Sequence, residues 1–248
     1  MKKLLSILFI TFAFSYSFAA TTGFPEDYYK MRATIKKQNY FFDYLYPHIE
    51  KANKNILKER EFILSIKENK NLDKNSKEHQ RLTKIAKRYK VKDPYDFDKL
   101  LKKINIVPPS MALAQAAVES GWGTSRFVKL GNNLFGHWTY GKKGILPLRR
   151  DPNAKHLIRI FNSFEESISA YMLNLNRHKA YYTFRSKRNQ LVEEDKKITG
   201  VILSQTMINY SQIREKYLRI LKNVIKKNKL QKYDKKLNNI LTKEKNEI

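Results

Sequence analysis

Cysteine is absent from the 248 residues, which excludes a disulfide framework, a cysteine-ligated metal centre and a thiol nucleophile. Proline and glycine are scarce, at seven and eight, too few for a low-complexity chain or a turn-rich β protein. Acids are also in short supply: 23 Asp and Glu stand against 50 Lys and Arg, a formal net charge of +27. The chain does carry 42% hydrophobic and 12% aromatic residues, enough for a sizeable core and unlike a disordered basic tail. Its cation excess raises nucleic acid as a partner, yet it contains no recognised nucleic-acid motif.

The N-terminus points elsewhere. Lys2 and Lys3 precede an apolar run from Leu4 to Phe14, and Ser17-Phe18-Ala19 follows with small residues at a cleavage spacing. This is the layout of a secretory signal peptide, residues 1–19. The run is shorter than the roughly 20 residues of a membrane span, although an uncleaved anchor is the competing reading. An exported chain in the periplasm or cell envelope does not meet chromosomal DNA. Its expected partner is an acidic envelope surface, with no nucleic acid and a monomeric chain.

Residues 20–94 read as a helical N-terminal region. Tyr28, Tyr29, Ile35, Tyr40, Phe41, Leu45, Tyr46, Ile56, Phe62, Ile63 and Ile66 recur at mixed three and four spacing, a helical stripe of core residues. Ser76 is placed to cap a further helix carrying Leu82, Ile85, Ala86 and Tyr89. A second helical set runs from Asp93-Pro94 to the break at Pro108-Pro109. Residues 134–161 change period, with turn signals at 141–144 and at Asp151-Pro152-Asn153, and predict a β-hairpin or three-stranded flap. Helix returns at Ser163, which has Glu166 at capping-box spacing, and an amphipathic pair spans 200–229, jointed at Tyr210-Ser211. From Lys226 onward eight lysines and three acids occur in 23 residues, a composition that predicts a frayed helix or mobile basic arm over 229–248. The fold class is mainly α (α+β).

One carboxylate stands apart. Between Asp98 and Asp151 there are nine Lys and Arg and a single acid, Glu119. It ends the run Met111-Ala112-Leu113-Ala114-Gln115-Ala116-Ala117-Val118, too apolar for a solvated face, and Ser120-Gly121 stops that helix. A carboxylate at a helix C-terminus faces the unfavourable end of the macrodipole, and desolvation by Trp122 adds to the rise in pKa. Nearby positive charge acts in the opposite sense. A glutamate that keeps its proton near neutral pH can serve as a general acid. His137, His156 and His178 are scattered without metal-ligand spacing, and neither metal nor cofactor is expected.

The segment Ala114-Gln115-Ala116-Ala117-Val118-Glu119-Ser120-Gly121-Trp122-Gly123, followed by Asn133-Leu134-Phe135-Gly136, resembles the glucosaminidase family of peptidoglycan hydrolases. Pro147-Leu148-Arg149-Arg150 and the stretch from Ala170 to His178 resemble, more narrowly, the Bax branch of that family. The likeness spans about 95–228. It implies a lysozyme-like helical lobe facing a small β flap, with an N-terminal helical extension. It implies cleavage of the β-1,4 bond after N-acetylglucosamine in peptidoglycan glycan strands, with Glu119 protonating the leaving oxygen. Trp122 and Phe135 would shape the cleft wall, with Ser120, Asn133, Trp138 and Tyr182 as further substrate contacts. The family's less uniform second group corresponds to Asp151 in the flap or Tyr181 on a later helix.

Glycoside hydrolysis usually takes two carboxyl groups, and two routes to the second function are open. Asp151 could activate a water, or the substrate's own 2-acetamido oxygen could attack the anomeric carbon with Tyr181 stabilising the charge. Arg149 and Arg150 beside Asp151 favour the second. A lytic transglycosylase or muramidase on the same fold is the nearest rival, and a non-catalytic basic envelope-binding module is the rival from another class.

Overall fold

The computed structural model describes residues 22–69, 72–148 and 153–246. The expected signal peptide and Asp151, with its flanking arginines Arg149 and Arg150, lie outside the described residues.

A short helix, α1 (Glu26–Lys30), leads into α2 (Ile35–Ile66), which continues through Pro47 and buries Phe41, Phe42, Leu45, Ile49, Ala52, Ile56, Ile63 and Ile66. Next comes α3 (Lys77–Arg88), capped by Ser76, whose hydroxyl accepts from the His79 amide. Asp96 caps α4 (Phe97–Lys103) in the same way through the Lys99 amide. Then α5 (Pro109–Glu119) starts with proline at its first position, where the missing N–H costs nothing.

Helix α5 organises the rest. Every residue from Pro109 to Ala117 is buried, and α5 packs against α2 and three later helices. Ala112, Ala114, Ala116 and Ala117 let those neighbours approach closely. Helix α6 (Arg126–Gly131) follows, and then the flap. Its strands β1 (Trp138–Thr139) and β2 (Leu157–Ile158) are antiparallel, with Trp138 opposite Ile158 and Thr139 opposite Leu157. Ile145 adds a bridge to Ile158, so the expected flap is present in minimal form.

Helix α7 (Phe164–Arg177) begins at Ser163, whose hydroxyl accepts from the Glu166 amide. Glu166 reaches back to the amide of Asn162, one residue beyond the position a capping box uses. A 3-10 turn, Lys179–Tyr181, introduces α8 (Tyr182–Glu193). Short α9 (Gly200–Leu203) precedes α10 (Arg214–Lys227) and α11 (Gln231–Asn246). The protein is mainly α with one small sheet, a lysozyme-like arrangement of helical lobe and flap. Among the described residues no helix is long and apolar enough to cross a membrane.

The segment that delivers α5 is itself buried, from Ile104 to Pro108, so its polar groups need protein partners. Asn53 of α2 accepts from the Val107 amide (2.9 Å) and donates to the Val107 carbonyl (3.0 Å). Arg60 donates to the carbonyls of Leu101 and Ile104. Arg188 of α8 is fully buried and donates to the carbonyls of Asn105 and Ile106 and to Asn176 Oδ1. It also reaches the carbonyls of Lys102 and Lys103, the negative end of α4. Burial first, then neighbouring arginines, lowers its pKa to about 9.

The C-terminal segment corrects the expectation of a frayed or mobile arm. Tyr233, Asp234 and Leu237 are buried, and α11 packs on α5 and α9. Asp234 accepts from the Ser110 amide (2.8 Å), the Ser110 hydroxyl (2.7 Å) and the Gly200 amide (2.9 Å). One carboxylate therefore caps the N-termini of α5 and α9 together. Only glycine fits at 200, because a Cβ there would lie 2.1 Å from Ser110 Oγ and 2.6 Å from the Met111 nitrogen. The neighbours of Asp234 in sequence include Lys232, Lys235 and Lys236, while its partners are more than thirty residues away.

Asp234→Ala leaves buried donors at two helix starts, and we expect a loss of about 3 kcal/mol of stability. Urea unfolding checks it, and a change below 1 kcal/mol would contradict the capping role.

Candidate active site

Glu119 is the last residue of α5, and the chain turns sharply after it. Gly121, Trp122 and Gly123 all have positive φ, at 56°, 57° and 72°. For Trp122 that conformation costs roughly 1–2 kcal/mol, so other contacts must hold it. The Trp122 amide donates to the Ala117 carbonyl (2.8 Å), and its carbonyl accepts from the Tyr28 hydroxyl (2.5 Å). Gly123 lies against Phe24, where a Cβ would come within 2.4 Å of the ring. The N-terminal extension thus grips the turn next to the acid. Phe24 in turn stacks with Tyr28 and Phe41 and packs on Phe164.

A run of hydrogen bonds ends on the acid. Glu119 Oε1 accepts from the Tyr217 hydroxyl (2.7 Å). The Tyr217 oxygen accepts from Gln115 Nε2 (2.9 Å), and Gln115 Oε1 accepts from the Tyr171 hydroxyl (2.5 Å). Gln115 lies one turn before Glu119, on the same side of α5. Tyr171 stacks flat on Phe135, with centroids 3.9 Å apart. Tyr210 lies parallel to Tyr217 at 5.8 Å, and Tyr181 is 6.0 Å from Tyr210.

Burial raises the pKa of the Glu119 carboxyl, and the Tyr217 hydrogen bond, which favours the carboxylate, works against that rise. Among the described residues Glu119 makes no ion pair. Burial is also the main reason that the phenols of Tyr171, Tyr181, Tyr210 and Tyr217 are held protonated, and the charge of Glu119 adds to each. The acid is therefore half-buried among uncharged phenols, of which Tyr217 donates it a hydrogen bond. Burial there favours the protonated carboxyl.

Glu119 and Tyr181 are brought into each other's field, while the other expected contacts fall elsewhere. Ser120 is fully buried; its hydroxyl donates to the Ala116 carbonyl (2.6 Å) and accepts from the Gly123 amide (2.7 Å). It builds the turn. Asn133, also buried, ties the flap together by donating to the carbonyls of His137 and Arg159 and accepting from the His137 amide. The Trp122 ring packs edge-on against Phe41 and Phe42 of α2, so it props the loop, and the tyrosines enclose the acid in its stead. Phe135 is buried beneath Tyr171 and supports the ring from behind.

Trp138 and Tyr182 are exposed, by 59% and 70%, but line two separate recesses that do not include Glu119. One, of about 570 Å³, lies between α2, α7 and the flap, with Trp138 at its edge and the pairs Glu59–Arg88 and Glu166–Arg159 in its wall. Its α7 residues Glu166, Ala170, Leu173 and Arg177 face away from Tyr171. The other, of about 640 Å³, holds Tyr182. Among the described residues no group of three or more His, Asp or Glu could hold a metal ion.

Tyr217, Tyr171 and Tyr210 were missed as site residues in sequence, where Tyr210 reads as the joint between two helices and Tyr171 and Tyr217 as core positions of helical stripes. Gln115, a polar residue in an otherwise apolar helix one turn before the acid, was the signal that could have found them.

The glucosaminidase family model, described as mannosyl-glycoprotein endo-beta-N-acetylglucosaminidase, matches residues 95–246, a span that takes in α5, the flap, the tyrosines and α11. The chain belongs to this family of glycosidases. It is 34% identical over 212 residues to Protein bax of Escherichia coli (strain K12), covering 82% of this chain and 74% of that protein. No solved structure matches the chain.

Tyr217→Phe removes the hydrogen bond that favours ionised Glu119, so the carboxyl pKa should rise further. Carbon-13 NMR titration of the labelled carboxyl reads this directly. An unchanged or lowered midpoint would show that the bond does not tune the acid.

Proposed function

We propose that this chain is an exported peptidoglycan hydrolase that cleaves the β-1,4 bond after N-acetylglucosamine, with Glu119 as general acid. The observation that carries the proposal is the carboxyl of Glu119 at the end of a buried helix, its pKa raised by burial and its ring of neighbours made of phenols. A general acid needs a proton available near neutral pH, and this environment favours one. Family membership supplies the reaction class. The layout of residues 1–19 supports export, and the excess of cations suits an acidic envelope surface.

Substrate assistance is the mechanism this ring supports best. The 2-acetamido oxygen of the bound sugar attacks the anomeric carbon as the bond to the leaving oxygen breaks. That oxygen takes the proton of Glu119. The Tyr181 phenol oxygen accepts a hydrogen bond from the acetamido N–H, where positive charge develops as the group closes into the oxazolinium ring and keeps that proton. Glu119, now a carboxylate, accepts a proton from the water that opens the ring. No second carboxylate takes part, in keeping with the recognised exceptions to the two-acid rule.

Digestion of purified sacculi, with the new ends identified by mass spectrometry, tests both bond and acid. We expect reducing N-acetylglucosamine ends from the wild type and at least a 100-fold loss of rate in Glu119→Gln. Anhydro-muramic ends would mark a transglycosylase, and undiminished cleavage by Glu119→Gln would remove the acid role.

A further inference from the structure

The recess beside Tyr182 has a chemistry of its own. Its walls are Lys90, Lys99, Lys103, Arg177, His178, Lys179, Tyr182 and Arg185, six cations and no acid. They come from the turn after α3, from α4, from the end of α7 and from α8, so this is not the solvated face of one helix. Asp96, outside the lining, pairs at 3.5 Å with Lys99.

The floor is fixed. Buried Arg185 donates to the carbonyls of Leu175 and His178, both at 2.8 Å, and Lys103 to those of Tyr89 (2.8 Å) and Lys90 (3.0 Å). Lys90, Lys99 and Lys179 are exposed around it. The crowding of like charge is felt by the groups inside. The His178 imidazole pKa is lowered by burial and then by Lys90, Lys179, Arg185 and Arg177. That of Lys103 is lowered by burial and then chiefly by Arg185, Lys99 and Lys90. A bound anion would relieve this repulsion.

Two features favour a compact anion over a flat charged surface. The site is recessed, and the exposed Tyr182 ring supplies an apolar wall. Tyr182 also directly follows Tyr181, whose phenol feels the charge of Glu119, so the chain links the recess to the acid's surroundings. We propose that this basin binds the carboxylates of short acidic peptides borne as branches on the glycan strand. This deepens the hydrolase proposal and rests on it for the strand, while the basin's affinity for an acidic peptide is measurable without cleavage.

The test uses full-length Glu119→Gln protein, which holds strands without cutting them, and soluble glycan fragments either bearing their peptide stems or stripped of them. Calorimetry should give stem-bearing fragments at least about fivefold tighter binding, the scale of a few partly screened ion pairs. Adding Lys90→Gln, Lys99→Gln and Lys179→Gln should abolish that preference without lowering the melting temperature by more than a few degrees. Adding Lys36→Gln, Lys58→Gln and Lys222→Gln, an equal loss of charge at other exposed positions, should leave it intact. Equal affinities for the two fragments, no binding of either, or a preference that survives the basin substitutions would overturn the proposal. So would basin variants that lose only their binding to phosphatidylglycerol vesicles, which would assign the cations to a lipid surface. Wild-type protein that prefers stems yet cleaves no strand would sink the hydrolase reading and leave the basin standing. Cleavage without stem preference would do the reverse.

Discussion

Helix α5 is buried from its first residue to Ala117, and the rest of this structure depends on meeting that constraint. The unpaired amides at its start cannot turn to water. At the start, Asp234 from the far end of the chain takes the Ser110 amide and hydroxyl. Just upstream, Asn53, Asn176, Arg60 and Arg188 occupy the polar groups of the segment that feeds it. At the finish, Ser120 closes the turn and Tyr28 holds it from the N-terminal side. Glu119 thus inherits a fixed position from side chains on α1, α2, α7, α8 and α11.

The second constraint is electrostatic. In a chain of net charge +27, a glutamate that met a lysine would lose its proton well below neutrality. The fold keeps cations away from this one by surrounding it with uncharged tyrosines, of which Tyr217 donates it a hydrogen bond. The arginines that do enter the core, Arg60, Arg185 and Arg188, are directed onto backbone carbonyls. Their charge is spent on helix ends, while three exposed lysines stand at the basin behind Tyr182. Segregating charge in this way lets a strongly basic protein hold a carboxyl with a raised pKa.

Local signals in the chain were easily legible. The caps at Ser76 and Ser163, the proline opening α5, the stop at Ser120-Gly121 and the acid before it all act within a few residues of themselves. The flap was legible from its change of period, and Glu119 from the absence of competing acids. Roles set by distant partners were not. Ser120, Asn133, Trp122 and Phe135 sit in the motif that resembles a catalytic family, and motif position says nothing about which way a side chain faces. Tyr217 lies 98 residues from Glu119 and has the spacing of an ordinary core tyrosine. Asp234 meets Ser110 across 124 residues, from a lysine-rich stretch whose composition predicts a frayed helix or mobile arm.

The double anchoring of α5 has a temporal side. The turn beyond Glu119 rests on Phe24 and Tyr28, near the beginning of the chain, whereas the opposite end of the helix rests on Asp234, near its close. Contacts of such long separation form late in folding, and a chain emerging N-terminus first presents residue 234 only after nearly everything else. A nascent polypeptide therefore holds Glu119 on a helix secured at one end alone. The second anchor is in place when the last segment docks.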